Sequence, residues 1–413
     1  MLAFPALAFP PDANFRQPLS RYGFEVIPFF TCLYVHALLV MLPHTRVIRV
    51  ALLPITLWQA YYVITCLDYA QTAAPLFSII GIPSERITYL NFTAANVFLL
   101  FSGRCIEWAF ESQCHRRFFP LRPGSPPVCH PTTLNYLLVD AFELCCNHRG
   151  RRWSWSRNPF PPPAPSGQTI FFQLTTFVLD VVYVDALLYI AQLNHPAPNT
   201  VFGDSIFDPN FPPALCLIRA CITAALTIYV LMFMLDLAYN FAAIVGRLFL
   251  GQTAWDWPPI FDEPWLSHSL AEFWGRRWHR VLRRMFIQLG SRPGRALGGR
   301  AGAVLGAFFV STVLHVWSIW GMGGGFAFLP TAVFFMTLGL GTVLEEIFTA
   351  QTGWKVAGFS GWAWCHTVMV LSGLMMTDDW TRRGLLASDI LPNHLRLGKL
   401  CVDVTLRVLM IRM

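Results

Sequence analysis

Residues 267–284 read SHSLAEFWGRRWHRVLRR, and the rest of the chain is interpreted from this stretch. Ser267 or Ser269 precedes Glu272 at a spacing that suits a helix N-cap. Large apolar side chains then follow one helical face, and arginines occupy the other. Such a helix is typical of a membrane–water interface. We therefore predict an amphipathic interfacial helix that carries a titratable base, His279, among its arginines.

The composition of the 413 residues identifies a membrane protein. Apolar residues make up 55% of the chain and charged residues only 13%, against about a quarter charged in soluble proteins. The mean hydropathy of +0.48 agrees. The net charge of +7 comes almost entirely from arginine, and arginine clustered next to apolar runs indicates contact with anionic lipid. A nucleic-acid partner is not expected, because the sequence has no soluble basic domain to bind one. The predicted fold class is an all-α, polytopic integral membrane protein.

Apolar runs long enough to cross a bilayer recur along the chain and predict about eight to nine transmembrane helices. A short, irregular arm over residues 1–24 precedes a single membrane domain over 25–413. Gly298, Gly302 and Gly306 recur every four residues at the start of the sixth run, which predicts close helix packing. The runs are 25–42, 47–66, 88–110, 169–192, 214–236, 301–319, 326–349, 361–377 and a shorter one, 398–411.

The arginines between the runs are distributed unevenly. Segments 111–168 and 237–300 carry seven and nine arginines, whereas 193–213 carries none. Because basic loops stay in the cytosol, these two segments are predicted to be cytosolic. Three arginines after the eighth run break the pattern and leave the C-terminal topology open; they are Arg382, Arg383 and Arg396.

His315 lies in the middle of the run 301–319, within VLHVW. An ionisable group at membrane depth is costly and suggests a function, and a neutral imidazole there can act as a general base. The alternative is a core histidine that bonds to Ser311 one turn away. The residue alone does not decide between them.

His279 has a stronger structural alternative, because a histidine on an interfacial helix is commonly a packing or solvated residue. Metal binding is not expected, since no third ligand stands at helical spacing from either histidine. For the carboxylates within the runs, Glu345 among them, span-end or interhelical hydrogen-bond roles are favoured over chemistry.

The motifs in 267–284 and in the run 301–319 resemble those of a known protein family. EFWGRRWHRVLRR followed by VLHVW resembles the wax-synthase-like branch of the membrane-bound O-acyltransferase (MBOAT) superfamily. Two further segments are similar to that branch: NHRGRRWSW at 147–155 and FFMTLGLGTVLE at 334–345. The similarity covers most of residues 145–350. One departure is Thr312, which stands where such proteins commonly have glycine before the buried histidine.

The resemblance implies a helical bundle with a buried catalytic tunnel, in which acyl-CoA is the co-substrate and no bound cofactor or metal is needed. It places the catalytic base at His315 and the second active-site position at His279. The thioester carbonyl would be supported by His279 or by the Trp278 indole. Arginines of 276–284 and 149–157 would hold coenzyme A. The expected substrate-binding residues are Trp274, Arg276, Arg277, Trp278, Arg280 and Arg152.

The acceptor of the acyl group is left open. Acetyl transfer to a lipophilic terpenoid or related secondary metabolite is favoured, because fungal members of the branch share this length and a similar proline-rich loop. A long-chain wax-ester synthase is the alternative within the branch. The expected location is the endoplasmic reticulum membrane.

Two alternatives come from other classes of protein. A transporter could use Asp180, Asp185 and His315 as an intramembrane relay, although no inverted repeat supports it. A membrane scaffold without activity would tolerate replacement of His315.

The arginine distribution makes a testable prediction about topology. Cysteines introduced at positions 152 and 292 should react from the cytosolic side only, because both lie in the arginine-rich segments. Impermeant thiol labelling of sealed vesicles measures this. Labelling of either position from the lumenal side would overturn the assignment.

Overall fold

The computed structural model describes residues 16–119, 126–156, 159, 169–194, 203–279, 281–323, 325 and 327–411. Most of the predicted N-terminal arm, residue Arg280 and most of the proline-rich stretch 158–167 lie outside the described residues.

The described residues are mostly helical, which confirms the all-α fold class. The one ladder of strands among them is a two-residue parallel pair, β1 (Gln17–Pro18) with β2 (Leu67–Asp68). The helices are α1 (Ile27–Val40), α2 (Arg46–Thr65), α3 (Tyr69–Ile79), α4 (Tyr89–Phe110), α5 (Leu134–Cys146), α6 (Ile170–Asn194), α7 (Pro213–Phe249), α8 (Leu270–Glu272), α9 (Arg283–Phe286), α10 (Arg292–Gly321), α11 (Phe328–Thr352), α12 (Gly358–Arg382) and α13 (Leu397–Ile411).

Every apolar run predicted from the sequence forms a helix. By length and composition, five helical stretches among the described residues could cross a membrane: α2, α6, α7, α11 and the stretch Arg283–Gly321. The count of eight to nine spans stays a prediction.

The chain divides into two compact units, which are interleaved in sequence. Unit 1 comprises Met1–Tyr69, Thr93–Pro163 and Arg280–Gly321. Unit 2 comprises Ala70–Phe92, Ala164–His279 and Met322–Met413.

The core of unit 1 forms where α1 packs against α2 and α5. Leu33 and Ala37 of α1 meet the indoles of Trp108 and Trp153 there, and all four side chains are buried. Arg49 of α2 is also buried and donates hydrogen bonds to the backbone carbonyls of Trp108 and Glu111. Arg49 is therefore a structural side chain rather than a free loop charge.

Helix α5 has its charged residues on the inner face. Asp140 accepts from Arg117 (3.0 Å) and His130 (2.9 Å), and Glu143 accepts from the Trp153 indole (2.5 Å). The exposed face is apolar, with Leu138, Val139 and Phe142. Apolar surroundings favour this inverted pattern, so α5 is unlike a water-facing helix of a cytosolic loop.

In unit 2, α6 and α7 pack as an antiparallel pair. Asn194 donates to the carbonyl of Arg219 (2.9 Å) at one end, and Arg247 donates to Gln173 (2.7 Å) at the other. Between them Asn240 donates to Asp180 at 2.8 Å. Polar side chains that cross between helices satisfy one another where lipid offers no partner.

Helix α13 is attached to α6 by a buried ion pair. Arg396 contacts Asp185 at 2.7 Å and Asp389 at 3.0 Å, and its side chain is 7% exposed. Arg382 and Arg383 pair with Asp378 and Asp379 at a spacing of four residues. The arginines that break the loop-charge pattern are thus paired with carboxylates.

The stretch Arg283–Gly321 is a helical hairpin rather than one straight span. The backbone leaves the helical region at Gly298 (φ −141°) and at Gly299, which has a positive φ of 61°. Gly290 then lies against the carbonyl of Gly306, and Gly294 against that of Gly302. The close packing predicted for Gly302 and Gly306 is present, whereas Gly298 forms the turn.

The hairpin predicts a difference between glycines. Gly306→Ala and Gly302→Ala place a methyl group against the backbone of the opposite arm, so each should cost about 1–3 kcal/mol of stability. Gly298→Ala is the control, because no atom lies within 4 Å of its added Cβ. Thermal unfolding in detergent should give a lower Tm for the first two variants only. Equal Tm values for Gly306→Ala and Gly298→Ala would contradict the packing.

Candidate active site

Within residues 267–284 the chain first forms a helix. The Ser269 hydroxyl accepts the amide hydrogen of Glu272 at 3.0 Å, which confirms Ser269 as the N-cap. The three residues of α8 then pass into a wide π-helical turn, Phe273–Arg277.

The prediction of one amphipathic helix across 267–284 is wrong beyond Arg277. Trp278 is extended, with ψ of 161°, and its amide closes the wide turn by donating to Phe273 at 2.8 Å. The carbonyl of Arg277 instead accepts from the amide of Asp262 at 2.9 Å. A partner outside the segment therefore takes the hydrogen bond that would have continued the helix.

The wide turn gathers aromatic rings around its end. The ring of Trp278 stacks on Phe273, with centroids 5.2 Å apart, and meets Phe261 at 5.0 Å. Trp274 packs edge-on against both Phe273 and Trp278. The half-buried imidazole of His279 lies 5.6 Å from the Trp278 ring. The predicted aromatic face is present, and Phe261 joins it from a segment that the local pattern does not include.

The two arginines of the turn differ in their surroundings. Arg277 donates to Glu272 at 2.7 Å and to the carbonyl of Asp262 at 3.0 Å, and its side chain is 12% exposed. Burial would raise the pKa of Glu272, but the amide of His268 and the Arg277 guanidinium outweigh burial and lower it. Arg276 is 61% exposed and pairs with Asp262. Much of the Arg276 side chain is thus exposed, whereas Arg277 holds the turn.

Arg284 belongs to the interior of unit 1. It bonds to Glu107 at 3.3 Å and to Glu111 at 2.8 Å, and its guanidinium lies over the ring of Trp155. The guanidinium of Arg104 also lies over the Trp155 ring, 4.6 Å from its centroid. Among the arginines of 276–284, Arg284 is therefore engaged by partners within unit 1, which suits a role in stabilising the fold rather than in binding coenzyme A.

The cluster also surrounds a neutral histidine. His115 is buried, and burial together with the neighbouring Arg104 and Arg284 holds its pKa well below the usual range. An uncharged imidazole fits a site that already contains two guanidinium groups.

Arg152 lies in the tight turn of NHRGRRWSW. It is half-buried and has a positive φ of 62°, which is uncommon for a side chain with a Cβ. Its amide donates to the carbonyl of Pro159 at 3.0 Å, and its carbonyl accepts from Phe118 at 2.7 Å. The turn is held from both sides, so the strained conformation is built in.

His315 is positioned by its own helix, α10, on the long arm of the hairpin. Its Nδ1 lies 2.8 Å from the carbonyl oxygen of Ser311. A carbonyl can only accept, so Nδ1 carries the proton and Nε2 has the lone pair. The predicted contact with Ser311 is therefore present, and it orients the imidazole as a base needs to be oriented. The two alternatives for His315 are compatible.

The neighbours of His315 complete the polar face of α10. Ser318, one turn on, donates to the side chain of Asn96 at 2.9 Å. Thr312, which stands in the glycine place of the resemblance, is buried and donates to the carbonyl of Phe308 at 3.1 Å. Thr312 therefore satisfies its hydroxyl within the helix. His315 belongs to unit 1, whereas His279 and the aromatic cluster belong to unit 2.

Comparison with known proteins agrees with these motifs. Residues 257–337 match the model of the membrane bound O-acyl transferase family. The matched residues include the wide turn, His279, the hairpin and His315. The resemblance noted in the sequence is confirmed.

Several curated proteins are similar to the chain. The acetyltransferase spyB of Aspergillus fumigatus is 28% identical over 29% of this chain and 21% of its own length. The long-chain-alcohol O-fatty-acyltransferase of Simmondsia chinensis is 29% identical over 35% of this chain and 43% of its own length. The acetyltransferase atnC of an Arthrinium species is 22% identical over 70% of this chain and 72% of its own length. The chain spans less than half the length of the first two of these relatives, 21% and 43%.

The wide turn predicts different outcomes for its two arginines. Arg277→Ala removes the donor from the partly buried Glu272 and from two backbone carbonyls, so it should lower stability by about 1–3 kcal/mol. Arg276→Ala, the control, should leave Tm unchanged and, with acyl-CoA as substrate, raise KM more than it lowers kcat. Unfolding curves and initial rates measure both. A normal Tm for Arg277→Ala would contradict its structural role.

Proposed function

We propose that this chain, which carries the membrane bound O-acyl transferase segment over residues 257–337, is an acyl-CoA-dependent O-acyltransferase. The observation that carries the proposal is the 2.8 Å contact between Nδ1 of His315 and the carbonyl oxygen of Ser311, which assigns the proton to Nδ1. The Nδ1 hydrogen is held by the Ser311 carbonyl, so Nε2 can accept a proton from an alcohol.

The reaction follows from that lone pair. Nε2 of His315 removes the hydroxyl proton as the alcohol oxygen attacks the thioester carbonyl carbon. The carbon–sulfur bond then breaks, and the imidazolium returns its proton to the departing thiolate, so that an ester and free coenzyme A are formed. In this proposal His279 or the Trp278 indole stabilises the developing oxyanion. No metal or bound cofactor takes part.

Coenzyme A would be held by cationic side chains at the cytosolic face. Arg276 is the exposed arginine of the wide turn, and planar guanidinium groups suit phosphates. The proposal includes Arg152 in its strained turn, Arg280, Trp274 and Arg277, the last through the backbone that it holds.

The acyl group is proposed to be acetyl and the acceptor a lipophilic terpenoid or related secondary metabolite. Relatives named as acetyltransferases, among them those of Aspergillus fumigatus and an Arthrinium species, support this choice. A long-chain wax-ester synthase is the second candidate, supported by the Simmondsia chinensis relative. The proposed location is the endoplasmic reticulum membrane.

The transporter hypothesis finds less support in unit 2. Asp185 is bound by the Arg396 guanidinium and by the amide of Lys399 at 2.9 Å. Asp180 accepts from Asn240. A carboxylate that anchors a helix through an ion pair is poorly suited to release and rebind protons in each cycle.

The decisive variant is His315→Ala. It removes the base and should lower the rate of ester formation by about 10²–10⁴-fold, while the protein still inserts and binds acyl-CoA. His279→Ala should be less severe if His279 orients a substrate. Ester product is measured at matched amounts of folded protein in detergent.

His366→Ala is a matched control for this experiment. The Nδ1 of His366 lies 2.9 Å from the carbonyl of Trp362, the same local geometry on another helix. Its loss should leave the rate within about twofold of normal. Near-normal turnover by His315→Ala would contradict the proposed mechanism.

A further inference from the structure

Glu345 is a buried carboxylate that is held by three N–H groups. It is 6% exposed and lies on α11. One oxygen accepts from the amide of Leu270 at 2.7 Å and from the Trp364 indole at 2.9 Å. The other accepts from the amide of Ala271 at 3.0 Å. Among the described residues no cation pairs with it.

These bonds complete the start of α8. The first amides of a helix have no partner within the helix. Glu345 satisfies those of Leu270 and Ala271, and the Ser269 hydroxyl satisfies that of Glu272. The first three amides of α8 are therefore bound, two of them by a side chain more than 70 residues away in sequence.

Two glycines bring the same part of unit 2 into close contact. A Cβ at Gly341, one turn before Glu345, would collide with the side chain of Leu270. A Cβ at Gly361 would collide with the carbonyl of His268. The Trp362 indole adds a hydrogen bond to the carbonyl of Trp265 at 3.0 Å. Trp265, His268, Leu270 and Ala271 thus each contact α11 or α12.

Hydrogen bonds to a buried carboxylate are costly to replace. An ionised carboxylate without a cation is unfavourable at depth unless N–H groups compensate it, and an amide side chain would put an NH2 group against a backbone N–H. Packing alone would be served by an apolar residue. A carboxylate suits this position because its two oxygens can accept hydrogen bonds from two neighbouring backbone amides at once.

We propose that Glu345 is a positioning residue, which fixes the origin of the wide turn and through it the places of Trp278 and His279. The proposal rests on the proposed function, because it assigns those two residues to the site. The amides that Glu345 holds belong to Leu270 and Ala271, so only Glu272 separates them from the start of the wide turn at Phe273. A shift at Leu270 is therefore passed on to the aromatic cluster with little to absorb it.

Glu345→Gln tests the proposal. It keeps the size of the side chain, loses one acceptor and should lower kcat at least tenfold, since small misplacements at a reacting centre are costly. Glu346→Gln is the matched control, with the same change at the next residue, and should stay within about twofold. A kcat near normal for Glu345→Gln would overturn the proposal.

A double-mutant cycle separates positioning from general stability. If Glu345 acts through the wide turn, its effect should shrink to within about twofold in a background that lacks both positioned groups, His279→Ala combined with Trp278→Phe. Fully additive losses would overturn the proposal. If Glu345→Gln folds poorly, Glu345→Asp replaces it: both acceptors remain but withdraw by one methylene, which should lower kcat with Tm retained.

Hydrogen exchange gives a readout that does not depend on activity. Glu345→Gln should speed exchange across 270–279 and leave the hairpin amides near Gly290 and Gly306 unchanged. Loss of protection throughout the chain would show a merely structural role and overturn the proposal. A wild-type protein that forms no ester would refute the proposed function. The exchange experiment would still report on the hydrogen bonds between Glu345 and the start of α8.

Discussion

Every backbone amide and every charge that this chain carries to membrane depth needs a partner within the chain, because hydrocarbon offers none. Several buried amides and charges of the described residues likewise find partners, through a few long-range bonds. Glu345 holds the first amides of α8, and Arg396 and Asp185 neutralise one another between α13 and α6. In unit 1, Arg284 is placed between two glutamates and an indole. These bonds join elements that are distant in sequence.

The same constraint explains how His315 is presented. The glycine contacts between Gly290 and Gly306 let two helical arms touch backbone to backbone, so that the hairpin is compact without large side chains at its centre. The long arm then carries a histidine whose proton is held by the preceding turn. The carbonyl of Ser311 selects the tautomer of this histidine. This arrangement supports a base in an apolar setting.

Local pattern was sufficient for the elements and for part of the site. Apolar runs predicted the helices, the serine spacing predicted the N-cap at Ser269, and the glycine period predicted close packing at Gly302 and Gly306. The motifs also predicted the resemblance to the membrane bound O-acyl transferase family, whose model matches residues 257–337. His315 and His279 as catalytic residues remain proposals that the local geometry supports.

Local pattern failed wherever a distant partner decides the outcome. The helix stops at Trp278 because Asp262 takes the carbonyl of Arg277. Arg284 looked like a phosphate ligand, but its partners lie more than 170 residues earlier in the chain. The turn at Gly298 and Gly299 follows from the pairing of the hairpin arms, which a helical period alone cannot reveal.

The most direct measurement is acyl transfer by the purified protein. Labelled acetyl-CoA is supplied with a panel of lipophilic alcohols in detergent, with a long-chain acyl-CoA in parallel, and both ester and free thiol are quantified. We predict ester and free coenzyme A in equal amounts, with acetyl-CoA preferred. Uptake or flux of a solute without any ester from either thioester would contradict the assignment of this chain as an O-acyltransferase.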